Sequence, residues 1–169
     1  MKTTQRVFLL LFSAILLSPG LLAQTAPVAV EEGNPFSKSD FWAVGLQAGV
    51  LSGSGLGVRY HPRGSFAAQF VGVGIRIGDV TTYNFGAEGQ FDLDNNGRSR
   101  FYTYLGTGVY SWSNEGEEKL EGQWRLGLGI AYEWSVSAKL IFGANGAITY
   151  FSDGTILPLP QIGLFYYFN

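Results

Sequence analysis

The chain carries a single histidine and no cysteine, and those two counts limit its chemistry at the outset. Without thiols there is no disulfide framework, no thiolate metal site and no cysteine nucleophile. His61 is followed two residues on by Arg63, while Ser52, Ser54 and Ser111 stand elsewhere in the chain. A serine nucleophile needs a base within hydrogen-bond reach, and this spacing puts none beside it. His61 therefore reads as structural, with no catalytic residue, cofactor site or metal site expected. Glu115, Glu117, Glu118 and Glu121 lack the regular oxygen-ligand spacing of a calcium loop and read as a solvated acidic loop. Gly72-Val73-Gly74 lies inside an alternating apolar stretch, which is no context for a phosphate loop. A formal net charge of −2 offers no basic surface for nucleic acid.

What remains is a set of isolated charges, and their meaning depends on the elements that hold them. Of the 169 residues 46% are hydrophobic and only 14% charged, below the quarter usual in soluble domains. Yet after the N-terminus no run is long and apolar enough for a membrane helix. The N-terminus reads as an export signal. Lys2 and Arg6 supply its positive end, residues 7–17 (VFLLLFSAILL) its apolar stretch, and Pro19-Gly20 a break, with cleavage expected after Ala23. The stretch is too short to serve as a membrane anchor. Residues 24–40 are irregular and read as a flexible lead-in.

From residue 41 the chain becomes a series of alternating segments with turn residues between them. The expected strands are 41–50, 56–61, 66–78, 83–94, 100–113, 123–135, 138–152 and 157–168. Gly53-Ser54-Gly55, Pro62-Arg63-Gly64, Asn95-Asn96-Gly97, Val136-Ser137 and Asp153-Gly154 mark turns, and Asn114–Gly122 is the longest loop. The sixth segment shows the pattern best. Trp124, Leu126, Leu128, Ile130, Tyr132 and Trp134 alternate with Arg125, Gly127, Gly129, Ala131 and Glu133. Successive side chains of a strand point to opposite faces, so one face is large and apolar and the other small or charged. The fifth segment is ambiguous, with aromatics on both faces.

In a soluble barrel the large apolar face would point inward; in a membrane barrel the order inverts. Glycine and alanine on the minority face suit a crowded lumen better than a solvated surface. Aromatics collect at strand ends as interfacial girdles do: Trp42, Tyr60, Phe91, Trp134 and Phe168 on one rim, Tyr83, Trp124 and Tyr150 on the other. The charges on the small face are of both signs, as a dry interior requires: Arg59, Arg76, Glu88, Asp92, Arg100, Arg125, Glu133 and Lys139. Glu133 and Lys139 are expected to sit opposite one another across the turn at Val136, and Asp92 and Arg100 across Asn96. The expected fold is all-β, an eight-stranded antiparallel up-and-down transmembrane β-barrel over residues 41–169. Short turns belong on the periplasmic side, so both termini and His61 are expected at that end.

The segments from Phe41 onward resemble the small outer-membrane barrels of the OmpA/OmpX type, by pattern rather than by a diagnostic motif. The final strand carries the closest match: Ile162, Leu164, Tyr166 and Phe168 alternate up to an aromatic ending, with Asn169 one residue beyond it. The resemblance implies that this ending is an assembly signal, and that the partners are outer-membrane lipid and lipopolysaccharide, the barrel-assembly machinery and periplasmic chaperones. It implies a monomer with a structural or interaction role, the lumen filled by side chains. Some barrels of this size resemble lipid A-modifying enzymes, of which the deacylases pair a histidine with a serine two residues away; His61 and Arg63 depart from that. A narrow channel, a lipid A-modifying enzyme and a soluble lipocalin-like barrel stand as alternatives.

Overall fold

The computed structural model describes residues 41–62, 64–77, 80–113 and 121–168. The export signal, the lead-in, Arg63, most of the acidic loop and Asn169 lie outside the described residues. The strands are β1 Phe41–Gly49, β2 Gly55–His61, β3 Phe66–Ile77, β4 Val80–Asn95, β5 Ser99–Ser113, β6 Glu121–Ser135, β7 Leu140–Phe151 and β8 Ile156–Phe168. Each pairs antiparallel with its neighbours in sequence, and β1 pairs with β8 from Trp42↔Phe168 to Gly49↔Gln161, which closes the barrel. The expected eight-stranded antiparallel barrel is the fold, with no strand end displaced from the sequence-based bounds by more than three residues.

Local chemistry explains the turns. Gly97 and Gly154 have φ of 82° and 85°, a region that side chains disfavour. The Asn96 side-chain oxygen accepts the backbone N–H groups of Arg98 and Ser99. Asp153 does the same for Thr155 at 2.9 Å, and these hydrogen bonds hold its carboxyl below the usual carboxylate range. At Val136 the turn is four residues long, because Val136 and Ser137 both donate to the Leu140 carbonyl.

The faces divide as alternation requires. Phe70, Leu56 and Leu46 are exposed by 65%, 64% and 62%, whereas Arg59, Arg100 and Glu133 are exposed by 1%, 0% and 1%. In the ambiguous fifth strand Tyr102 and Tyr104 point inward and are buried. The aromatic residues expected to form girdles fall into two groups at opposite ends of the strands. Trp42 packs on Tyr60 at 4.7 Å and Trp134 on Phe142 at 4.8 Å near the terminal rim; Trp124 packs on Tyr150 at 5.7 Å near the far rim.

Two departures from regularity shape the far half. β1 and β2 have nine and seven residues, against twelve to sixteen in the other strands. The connection between them, Val50–Ser54, turns inward, so that Leu51, Ser52 and Gly53 are buried. Glycines make the room. A Cβ on Gly86 would lie 2.1 Å from the Ser52 carbonyl oxygen, and one on Gly108 2.4 Å from that of Leu51. Gly86 and Gly108 are direct partners across β4–β5, and Gly106 and Gly127 across β5–β6, so the four form one bare patch on the inner wall. The second departure is Pro158 and Pro160 in β8. The Tyr167 N–H donates to Lys139 on the β7 side, and alternate residues of a strand turn their N–H groups to the same neighbour. Even positions of β8 therefore face β1, so the donors missing at Pro158 and Pro160 would have faced the β1 side, and β1 ends one residue short of Pro160.

Gly108→Val should expel the inward loop. The overpacking should lower stability by about 1–3 kcal/mol, read from the urea midpoint in micelles. Limited proteolysis should then cut within residues 50–54, which the wild type should resist.

Candidate functional site

The inner face of the barrel is the candidate site, and it is organised in three levels. Nearest the termini, Glu133 of β6 is centred between two arginines. Its Oε1 accepts from Arg59 Nη1 at 2.6 Å, and its Oε2 lies 3.3 Å from Arg100 Nη1. Arg100 Nε also meets Asp92 Oδ1 at 2.5 Å, and His61 Nε2 meets Asp92 Oδ2 at 3.0 Å. Rings enclose the cations: Arg59 stands 4.3 Å from the Phe165 ring and Arg100 4.1 Å from the Tyr102 ring. Tyr167 OH accepts from Arg59 at 2.6 Å. His61 Nδ1 faces the Pro62 carbonyl at 2.9 Å and its ring stacks on Phe41. Both imidazole nitrogens thus meet acceptors, and no hydroxyl nucleophile bonds to the ring among the described residues.

At mid-height Glu88 has no cationic partner among the described residues. Amide and hydroxyl donors surround it instead. Gln90 Nε2 donates at 2.9 Å, Gln47 and Gln161 at 3.3 Å, Gln69 at 3.4 Å, and the Ser52 hydroxyl at short range. Such dipoles are what a carboxylate needs when it is removed from water without a counter-ion. Tyr104 OH, bonded to Asn145 at 2.9 Å, closes this layer through Gln161.

Toward the far end Arg125 of β6 is the converse case, a buried guanidinium with no carboxylate among the described residues. Its Nε donates to the Leu51 carbonyl at 3.1 Å and its Nη2 to Asn84 Oδ1 at 2.8 Å. The inward loop therefore stands between an unbalanced anion and an unbalanced cation, touching Glu88 through Ser52 and Arg125 through Leu51. Arg59, Arg100 and Arg125 match Glu88, Asp92 and Glu133 in number, so the described interior is neutral as a whole although only one of its levels is locally paired.

The structure brings six of the eight expected interior charges together and leaves two out. Lys139 is exposed in the β6–β7 turn, 6.0 Å over the outward ring of Tyr166. Because that turn takes four residues, Glu133 faces Gly143 rather than Lys139. Arg76 lies at the far end of β3 and is exposed. Asp92 and Arg100 do pair, although a bulge between Asp92 and Asp94 sets Asp92 opposite Tyr102. The outward residues Ile162, Leu164, Tyr166 and Phe168 of β8 are exposed. Sequence reasoning missed the inward loop, taking Leu51 and Ser52 as the approach to an ordinary turn. The signal that could have found it is the cluster of inward glycines on β4, β5 and β6, a void that some other group has to fill.

No family model and no curated protein matches the chain. Among solved structures the chain is similar to the attachment invasion locus protein Ail of Yersinia pestis, at 14% identity and a TM-score of 0.43, over 76% of this chain and 97% of that one. It is also similar to Neisserial surface protein A, at 15% identity and a TM-score of 0.41, over 76% and 91%. A third is CarO2 of Acinetobacter baumannii, at 9% identity and a TM-score of 0.38, over 77% and 99%.

Glu133→Ala leaves the buried Arg59 without a carboxylate and Arg100 with Asp92 alone, and should cost about 3–5 kcal/mol. Lys139→Ala should stay within about 0.5 kcal/mol of the wild type, as exposed positions do. Urea unfolding in micelles compares the two; a Lys139 effect as large as that of Glu133 would return Lys139 to the network.

Proposed function

We propose that the chain is an integral barrel of the bacterial outer membrane with a structural or interaction role, its lumen plugged from within and both termini on the periplasmic side. The observation that carries this reading is the inverted surface. Phe70, Leu56, Leu46 and Leu128 lie outside while six ionisable side chains lie inside. In water that arrangement would expose a contiguous apolar belt around the whole molecule, far beyond what a soluble monomer presents. In hydrocarbon it is the favourable one, and the closed strand ladder leaves few backbone groups along the wall without a partner.

The plug is the second part of the proposal. The glutamine layer around Glu88 and the loop carrying Leu51 and Ser52 occupy the middle of a lumen that eight strands already make narrow. A channel would need the inward loop to leave.

Cell fractionation should place the full chain in the outer membrane, resistant to alkaline extraction, and unboiled samples should migrate differently from boiled ones on gels. Recovery in the soluble fraction would reverse the assignment of the faces. In planar bilayers the wild type should show no stable conductance, whereas Leu51→Gly combined with Ser52→Gly should show openings. Steady conductance of the wild type would replace the plug with a pore.

A further inference from the structure

Among the described residues, the far half of the barrel wall is incomplete on one side. The last registered pairs of the short hairpin are Gly49↔Gln161 toward β8 and Leu56↔Gly72 toward β3. Beyond them, 156–160 of β8 and 73–77 of β3 continue with no β1 or β2 residue registered between them. Five residues at about 3.3 Å each, tilted as barrel strands are, make a step of roughly 12 Å. This is a lateral notch. Its floor is the inward loop, and its β8 edge carries Pro158 and Pro160, which have no N–H to leave unsatisfied toward the gap.

Two features converge on the notch. Below it, on the outer wall, Leu46, Ala48, Phe142, Ile162 and Leu164 line a groove of about 200 Å³ where β7, β8 and β1 meet. The small side chain of Ala48 opens this groove between larger apolar neighbours, directly under the exposed lip residue Val50. Above the floor, Arg125 approaches from the opposite wall and donates to the Leu51 carbonyl. Its charge is uncompensated among the described residues, and Nη1 has no hydrogen-bond partner among them. On the neighbouring strand the inner-face hydroxyl of Thr149 is buried and likewise unpartnered.

We propose that the notch is a lateral binding site for a phosphate-bearing membrane lipid of the adjoining leaflet. One acyl chain lies in the Ala48 groove, and the headgroup phosphate crosses the lip at Val50 to reach Arg125. The proposal rests on the membrane reading above; with the termini periplasmic, the adjoining leaflet is the outer one, so the occupant is a phosphorylated glycolipid. The chemistry agrees at both ends. A guanidinium is suited to a phosphate through paired N–H donors, and an acyl chain is what an apolar groove in a lipid-facing wall would take.

The test is retention of diphosphoryl lipid A by the refolded full chain through exchange into a nonionic detergent, counted by native mass spectrometry. Only preparations that show the gel shift of a folded barrel are used, so a failure of the membrane reading shows itself before any lipid is scored. The wild type should retain one lipid. Arg125→Gln should lower retention at least about tenfold, as loss of a charge-assisted hydrogen bond predicts, and Arg125→Lys should restore most of it. Ala48→Phe, which fills the groove on the outer wall, should lower retention similarly. Lipid A stripped of its phosphates should be retained no better than by Arg125→Gln. Equal retention by the wild type and Arg125→Gln would overturn the proposal. So would inorganic phosphate binding at Arg125 with lipid retention indifferent to Ala48→Phe, because the site would then serve a free anion.

Discussion

The seam between β1 and β8 is the constraint on which everything else depends. Eight residue pairs, Trp42↔Phe168 through Gly49↔Gln161, turn a sheet with two open edges into a closed wall. Closure creates an inside, and with eight strands the inside is narrow. From that follow the small inner residues, the inward-pointing charges and the outward display of large apolar side chains. An open sheet of the same sequence would have no region able to hold Arg59, Arg100 and Glu133 away from solvent together.

Once the interior exists, its polar content has to be satisfied locally, and the molecule does so in three ways. Near the termini, opposite charges meet directly, with aromatic rings covering the guanidinium groups. At mid-height, neutral dipoles solvate a lone carboxylate. At the far end, a lone guanidinium takes a backbone carbonyl and an amide. The levels differ in how far they depend on neighbouring segments. The first is built almost wholly from strand side chains, whereas the other two both draw on Val50–Ser54. That loop joins the carboxylate layer to the guanidinium layer, so its inward position is set by electrostatics as well as by the glycine patch.

Much of this was legible in the sequence because a strand has period two, and period two survives in the primary structure without help from tertiary context. The strand count, the inner and outer faces and the interior placement of Arg59, Glu88, Asp92, Arg100, Arg125 and Glu133 all follow from it. What was not legible depends on turn geometry and on non-local fit. Lys139 left the interior because two N–H groups share the Leu140 carbonyl and lengthen one turn, a choice that alternation cannot report. Arg76 keeps the inward parity yet stands so far along β3 that it is exposed. Leu51 and Ser52 were unreadable as interior residues because nothing in their own neighbourhood is unusual; the reason for their burial is written in glycines roughly thirty-five to seventy-five residues away.

The two prolines of β8 have a bearing on how the chain finds its register. Slippage by two residues is the dangerous error in an alternating strand, since it keeps every side chain on its proper face and so is invisible to burial. If β1 slid two places toward the far end of β8, its final pairs would require a donor from position 160, and the ring there has none. The slipped state loses a ladder bond that the native state never needed. A missing hydrogen thus acts as a stop at the end of the closing seam, selecting one alignment among those that the hydrophobic pattern alone would treat as equal.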